Sequence, residues 1–275
     1  MEIWHRVAVN TSKRKFAEAI KNLGVPHHLQ DLPGKPNGFM YFDIKESDPR
    51  WTAVSDLILQ LGASDICETF FDDDEIRKAE WVRLISAFEQ GYPQPKSDWP
   101  LKQLSYENVC PKCGVYNQVA SLRIQKEPHV GKKSFMSPIW VGEIFCTSEV
   151  ISALRDVQAN GFDAWDVKIH KTNEISAVVQ QLYISSVMPS GLEVDNSHDR
   201  VVCSICHTTK HSPHVKGSMR IDRKAFRKDL DFMKTWEWFG SGLIAFREIL
   251  ISNRIACLIL DRKWKGVRLK PVEPI

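Results

Sequence analysis

The chain has 275 residues, of which 43% are hydrophobic and 26% charged, and a formal net charge of +3. That length suits one large domain or two ordinary ones with proper cores, and so small a positive balance does not by itself point to nucleic acid or to a membrane surface. No apolar run approaches the roughly 20 residues that span a bilayer, and the start, MEIWHRVAVNTSKRK, lacks the apolar core of a signal peptide. A cytoplasmic chain without a membrane partner is therefore expected, and in that compartment its seven cysteines favour metal over disulfides.

In chain order, residues 2–9 alternate as a strand, with Ile3, His5, Val7 and Val9 on one side. Asn10, Thr11 and Ser12 supply a helix start, after which Phe16, Ala17, Ile20 and Leu23 repeat at helical spacing until Gly24. Short strands are predicted at 26–29 and 39–44, a helix over 49–61 ending at Gly62, a strand over 65–71 and a helix over 73–88. The order β-α-β-β-α-β predicts a ferredoxin-like α/β unit over 1–90. Gly91, Pro93 and Pro95 mark 91–100 as a linker, leaving 101–275 as a second, α+β domain.

That second domain contains an internal similarity. SEVISALRDVQANGFDAWDV from Ser148 and SNRIACLILDRKWKGVRLKPV from Ser252 align with one inserted residue. The alignment places Ser148 on Ser252, Ile151 on Ile255, Leu154 on Leu258, Gly161 on Gly266 and Val167 on Val272. Each copy reads as strand, Ser N-cap, helix, glycine C-cap and strand. Upstream, Trp140/Gly142 match Trp238/Gly240, and each copy begins with a CxxC pair. Two related units over about 105–185 and 198–275 are expected.

The pairs are Cys110/Cys113, followed by Gly114, and Cys203/Cys206, followed by His207. A two-residue gap lets both thiolates of a pair face one metal, and two such knuckles complete the all-cysteine tetrahedron of structural zinc. A redox CxxC, an iron–sulfur cluster and unrelated buried thiols are the weighed alternatives; the β-like residues after Cys113 and the spacings fit the first two poorly. One structural Zn²⁺ on Cys110, Cys113, Cys203 and Cys206 is predicted. His207, His211 and His214 read as neighbours, and Cys67, Cys146 and Cys257 as small core residues.

No phosphate loop, dinucleotide fingerprint, nucleophile elbow or HExxH motif occurs, and a non-enzyme is expected. The acidic run 72–75 and the basic stretch 210–228 read as solvated faces. The CPKCG knuckle, the second CxxC and the IFCTSEVISALRDVQANGFDAWDV and ILISNRIACLILDRKWKGVRLKPV stretches resemble the bacterial double-CXXCG-motif proteins, which are similar to immunity proteins of polymorphic toxin systems. The resemblance spans roughly 100–275 and departs from the pattern at His207, where the family would have glycine. It implies a protein that binds and neutralises a cognate toxin. Asp72, Asp73, Asp74 and Trp236 are the expected partner contacts. The alternative is a zinc-ribbon nucleic-acid-binding or regulatory protein.

Overall fold

The computed structural model describes residues 1–98, 104–139, 142–193 and 200–275. Its fold is mixed α+β, and it divides into two compact units, Met1–Asp72 with Val215–Gly217, and Asp73–His214 with Ser218–Ile275. Residues 91–98 of the expected linker lie inside the larger unit, and residues 99 and 100 are outside the described set.

The smaller unit runs β1 (Glu2–Asn10), α1 (Arg14–Asn22), β2 (His28–Gln30), β3 (Phe39–Lys45), α2 (Trp51–Leu61) and β4 (Ser64–Phe70). Its sheet has the order β2-β3-β1-β4 with every neighbouring pair antiparallel. The alternation in β1 and β3 turns Val7, Val9, Met40, Phe42 and Ile44 to one face, where they bury Phe16 and Ile20 of α1 and Val54 of α2. His5 shares that buried side, with Nδ1 2.9 Å from Asp65, Nε2 3.0 Å from Glu46 and its ring stacked 3.9 Å from Trp51.

The larger unit begins with α3 (Asp73–Lys78) and β5 (Trp81–Ser86). The single helix predicted over 73–88 is thus corrected. Asp73, Asp74 and Glu75 favour the positive end of a short helix, but Trp81, Val82, Arg83 and Leu84 are all buried and form a strand flanked on both sides. The remaining elements are β6 (Tyr106–Glu107), β7 (Asn117–Gln118), β8 (Phe135–Met136), β9 (Ile144–Thr147), α4 (Ser148–Asp156), β10 (Asp163–Lys168), β11 (Ile175–Tyr183), β12 (Arg200–Val202), β13 (Thr209–His211), β14 (Met219–Ile221), β15 (Phe232–Lys234), β16 (Trp238–Phe239), β17 (Ile249–Ser252), α5 (Asn253–Asp261) and β18 (Val267–Pro274).

Two sheets in this unit share one plan. One has the order β10-β11-β9-β8, and the other contains β18-β5-β17-β15, extended by β14. In the first, β11 pairs Gln181 with Phe145 and with Trp165; in the second, β5 pairs Arg83 with Leu250 and with Lys270. β5 therefore takes, in the second sheet, the place that β11 takes in the first, although it precedes its partners in the chain and β11 follows them. The cores match position by position: Met136, Phe145, Val167 and Val179 in one, Met233, Leu250, Val272 and Trp81 in the other.

The helices obey the same correspondence, with no inserted residue. Thr147 and Ser252 are the N-caps, extended at ψ 158° and 157°, so Ser148 is the first helical residue and matches Asn253. Val150, Ile151 and Leu154 face the core in α4, as Ile255, Ala256 and Ile259 do in α5. The left-handed residues directly after the helices are Gln158 and Lys263, at φ 52° and 53°, while the expected glycines, Gly161 and Gly266, also have positive φ, 85° and 101°, but not at the helix end. Gly161 and Gly266 lie further on, where each passes a strand of the other half. A Cβ on Gly161 would sit 2.3 Å from the carbonyl oxygen of Phe232, and one on Gly266 2.0 Å from that of Phe135. Backbone bonds are exchanged at the same places: Phe232 N donates to Asn160 O at 3.2 Å, and Phe135 N to Lys265 O at 3.0 Å. Trp140, half of one predicted Trp–Gly match, lies outside the described residues.

Candidate metal centre

A CxxC pair reaches one point only if the chain turns tightly between its cysteines, and both pairs do so with the same hydrogen bonds. Cys110 N donates to Val115 O at 2.9 Å and Gly114 N to Cys110 O at 2.8 Å. In the second turn Cys203 N donates to Thr208 O and His207 N to Cys203 O, both at 3.0 Å. The residue after the second cysteine must be left-handed: Gly114 adopts φ 73° and His207 φ 57°. Histidine reaches this region more readily than most side chains, so the missing glycine leaves the turn intact.

The turns bring the four sulfurs within 4.8 Å of one another. Cys110 Sγ lies 3.7 Å from Cys203 Sγ, and Cys113 Sγ lies 3.4 Å from Cys206 Sγ. Cys110, Cys113 and Cys203 are buried, and Cys206 is exposed. The cluster is compatible with one metal ion, and it draws one knuckle from each half of the larger unit. No histidine joins it among the described residues. Of the remaining cysteines, Cys146 is buried, while Cys67 and Cys257 are half-buried.

The two turns differ electrostatically. Burial pushes the Cys113 thiol up to about 12. Hydrogen bonds from the Thr208 side chain and backbone pull Cys206 down to about 6, and the Cys206 and Ile205 amides lower Cys203. Both turns present amide donors that favour thiolate, the Val115 amide doing so at Cys113, but in the first turn burial outweighs it.

Lys210 belongs to this centre, although its place in a basic stretch marked it as a solvated residue. It is buried, as is His211. The Lys210 ammonium donates to the carbonyls of Cys113, Gly242 and Ile244 at 2.8, 2.7 and 2.9 Å. Burial lowers its pKa, and the four cysteine sulfurs act in the opposite direction. A strand of the second half therefore secures the knuckle of the first and supplies a positive charge beside the sulfurs.

Compared with known proteins, the chain matches no family model and no curated relative. The cysteine cluster stands on its geometry alone.

The expected partner residues lie elsewhere. Asp72, Asp73 and Asp74 are exposed, the latter two in the first turn of α3. Trp236 is 55% exposed between β15 and β16, with the Arg247 guanidinium 5.4 Å above its ring. No described helix is long and apolar enough to cross a membrane.

Proposed function

We propose that Cys110, Cys113, Cys203 and Cys206 hold one structural zinc ion that joins two repeated halves of a non-catalytic protein, and that this protein is an immunity-type inhibitor of a cognate bacterial toxin. The observation that carries the zinc is the donor set. Four sulfurs ~2.3 Å from a tetrahedral ion would stand about 3.8 Å apart, and the two closest contacts between the knuckles are already 3.7 and 3.4 Å. Four thiolates fill the coordination shell and leave no position for a reacting water, so the ion supplies stability and not catalysis.

Duplication is supported by the shared strand register, the matched cores and the reciprocal contacts of Gly161 and Gly266. A ferredoxin-like reading of the smaller unit is supported by its β2-β3-β1-β4 order and all-antiparallel pairing. The inhibitor reading rests on the double-CXXCG resemblance together with this stiff, closed scaffold. Burial of Lys210 and His211 removes two residues from the basic surface that a nucleic-acid role would use.

Elemental analysis of the purified chain is expected to give one zinc per molecule; two would separate the knuckles. For the inhibitor, the test is co-expression with the toxin encoded beside its gene. Restored growth and a tight complex of the two products are expected, whereas toxicity that persists despite soluble expression of this chain would defeat the reading. Binding to DNA or RNA with a steep negative salt dependence would favour the nucleic-acid role instead.

A further inference from the structure

The larger unit contains a cavity of about 150 Å³ whose lining includes Tyr116, Gln118, Glu143, Lys234, Trp238 and Arg247. An apolar cavity of that size accommodates benzene, but this one is walled by charges. Lys234 and Arg247 are both half-buried, and that burial lowers the pKa of each. Among the described residues neither enters an ion pair. Arg247 donates to the Thr235 carbonyl at 3.0 Å and lies 4.7 Å over the Trp238 ring. The Lys234 ammonium lies 5.7 Å from the Tyr183 ring and is attracted by Glu143. Glu237 likewise attracts Arg247, but neither carboxylate makes a direct ion pair with its cation, and an anion between the two cations would contact both.

The same wall carries acceptors with an oxygen to spare. Glu143 and Gln118 are 4% and 8% exposed. Glu143 Oε1 accepts from the Tyr116 hydroxyl, and Gln118 Nε2 donates to Ala120 O at 3.1 Å. Their other oxygens, Glu143 Oε2 and Gln118 Oε1, are buried without a hydrogen bond of good geometry, although the buried Tyr106 hydroxyl also faces the Glu143 carboxylate. With two cations and one carboxylate the lining carries one net positive charge. It suits a single anionic group attached to a hydrogen-bond donor, and suits a dianion poorly.

We propose that this cavity binds a compact carboxylate bearing a neighbouring donor, the chemistry of a small α-hydroxy or α-amino acid. The carboxylate meets Lys234 and Arg247, and the hydroxyl or ammonium meets Glu143 or Gln118. The site uses none of the four cysteines and stands apart from the zinc and toxin readings.

Titration calorimetry on the full chain with L-lactate, L-alanine, acetate and inorganic phosphate tests it. L-lactate or L-alanine is expected to bind saturably with a millimolar or tighter Kd, at least tenfold tighter than acetate or phosphate; which of the two binds identifies the donor. Lys234→Met should weaken that binding at least tenfold, while Lys216→Met, at an exposed lysine, should leave it unchanged. Should Lys234→Met fail to fold, the wild-type protein still decides. The bound acid should slow acetylation of Lys234 relative to Lys216, read by peptide mass spectrometry. No saturable binding of either acid, equal or tighter binding of acetate or phosphate, an unaffected Lys234→Met, or unprotected Lys234 would each overturn the assignment.

Discussion

A Cβ on Gly114 would lie 2.0 Å from the carbonyl oxygen of Leu243, in a residue already held at φ 73°. Gly114→Ala is therefore expected to cost more than about 2 kcal/mol, since left-handed strain alone accounts for about 1–2 kcal/mol and the backbone clash adds to it. His207 has the same backbone role with φ 57° and keeps its Cβ. His207→Gly should relieve its strain, partly offset by the greater freedom of glycine in the unfolded chain, and raise Tm by about 2–4 °C if about 1 kcal/mol is recovered. Paired thermal unfolding curves of the metal-loaded variants check both directions. The glycine of the first knuckle and the spacing of both pairs were legible in the sequence, because a tight turn is a local property of four or five residues. Lys210 was not. Its neighbours are basic, and nothing local distinguishes an ammonium in water from one whose three bonds go to Cys113, Gly242 and Ile244.

Among the elements, β5 shows how far hydrophobic pattern reaches. A strand buried on both faces does not alternate, and a short apolar run after an acidic helix start fits helix and strand equally well. Its identity is settled by long-range pairing with β17 and β18. Arg83 in β5 and Glu248 before β17 are 3% and 6% exposed and form an ion pair at 2.5 Å. Arg83→Met strands a buried carboxylate and should cost about 3–5 kcal/mol, much of it recovered by adding Glu248→Gln; denaturant titrations of the single and double variants measure this. The similarity of the two strand–helix–strand stretches was legible through Ser, Leu and Gly spacing, yet the structural correspondence of α4 with α5 is shifted by one residue from the sequence alignment. Caps are set by backbone angles, and the Ser252 hydroxyl, expected to cap α5, instead donates to Asp231 Oδ1 at 2.7 Å. Asp231 is pushed up by burial, but bonds from Arg254, Ser252 and the Asn160 amide outweigh this and hold its pKa below the ordinary value. Its stabilising contribution is thus complete above about pH 4, the unfolded carboxylate range, and is lost as pH falls through the lower folded value. Stability of the wild type is expected to fall more steeply below about pH 4 than that of Asp231→Asn, as followed by thermal unfolding across pH 2–6.

At the scale of the whole molecule, the cysteine centre couples parts of the chain that are far apart in sequence. The halves of the larger unit already exchange backbone bonds at Asn160 with Phe232 and at Lys265 with Phe135, and the knuckles meet at a third place. A metal bound there acts on folding as a ligand of the native state alone, so its binding free energy adds to stability. One shared ion has a consequence that two separate ions lack. Cys110→Ser and Cys203→Ser remove sulfurs that lie 3.7 Å apart but belong to different knuckles. Either change alone should release the ion and destabilise the larger unit by a similar amount. The double variant should then cost little more than either single one, because the interaction has already been lost. Two independent sites would instead give additive losses and would leave one ion bound in each single variant. Denaturant unfolding of the four proteins, with zinc measured in each, separates these outcomes, and chelation of the wild type should reproduce the stability of the single variants. The smaller unit has its own core of Val7, Phe16, Met40 and Phe42 and none of the four cysteines, so its unfolding transition is expected to stay where it is throughout the series.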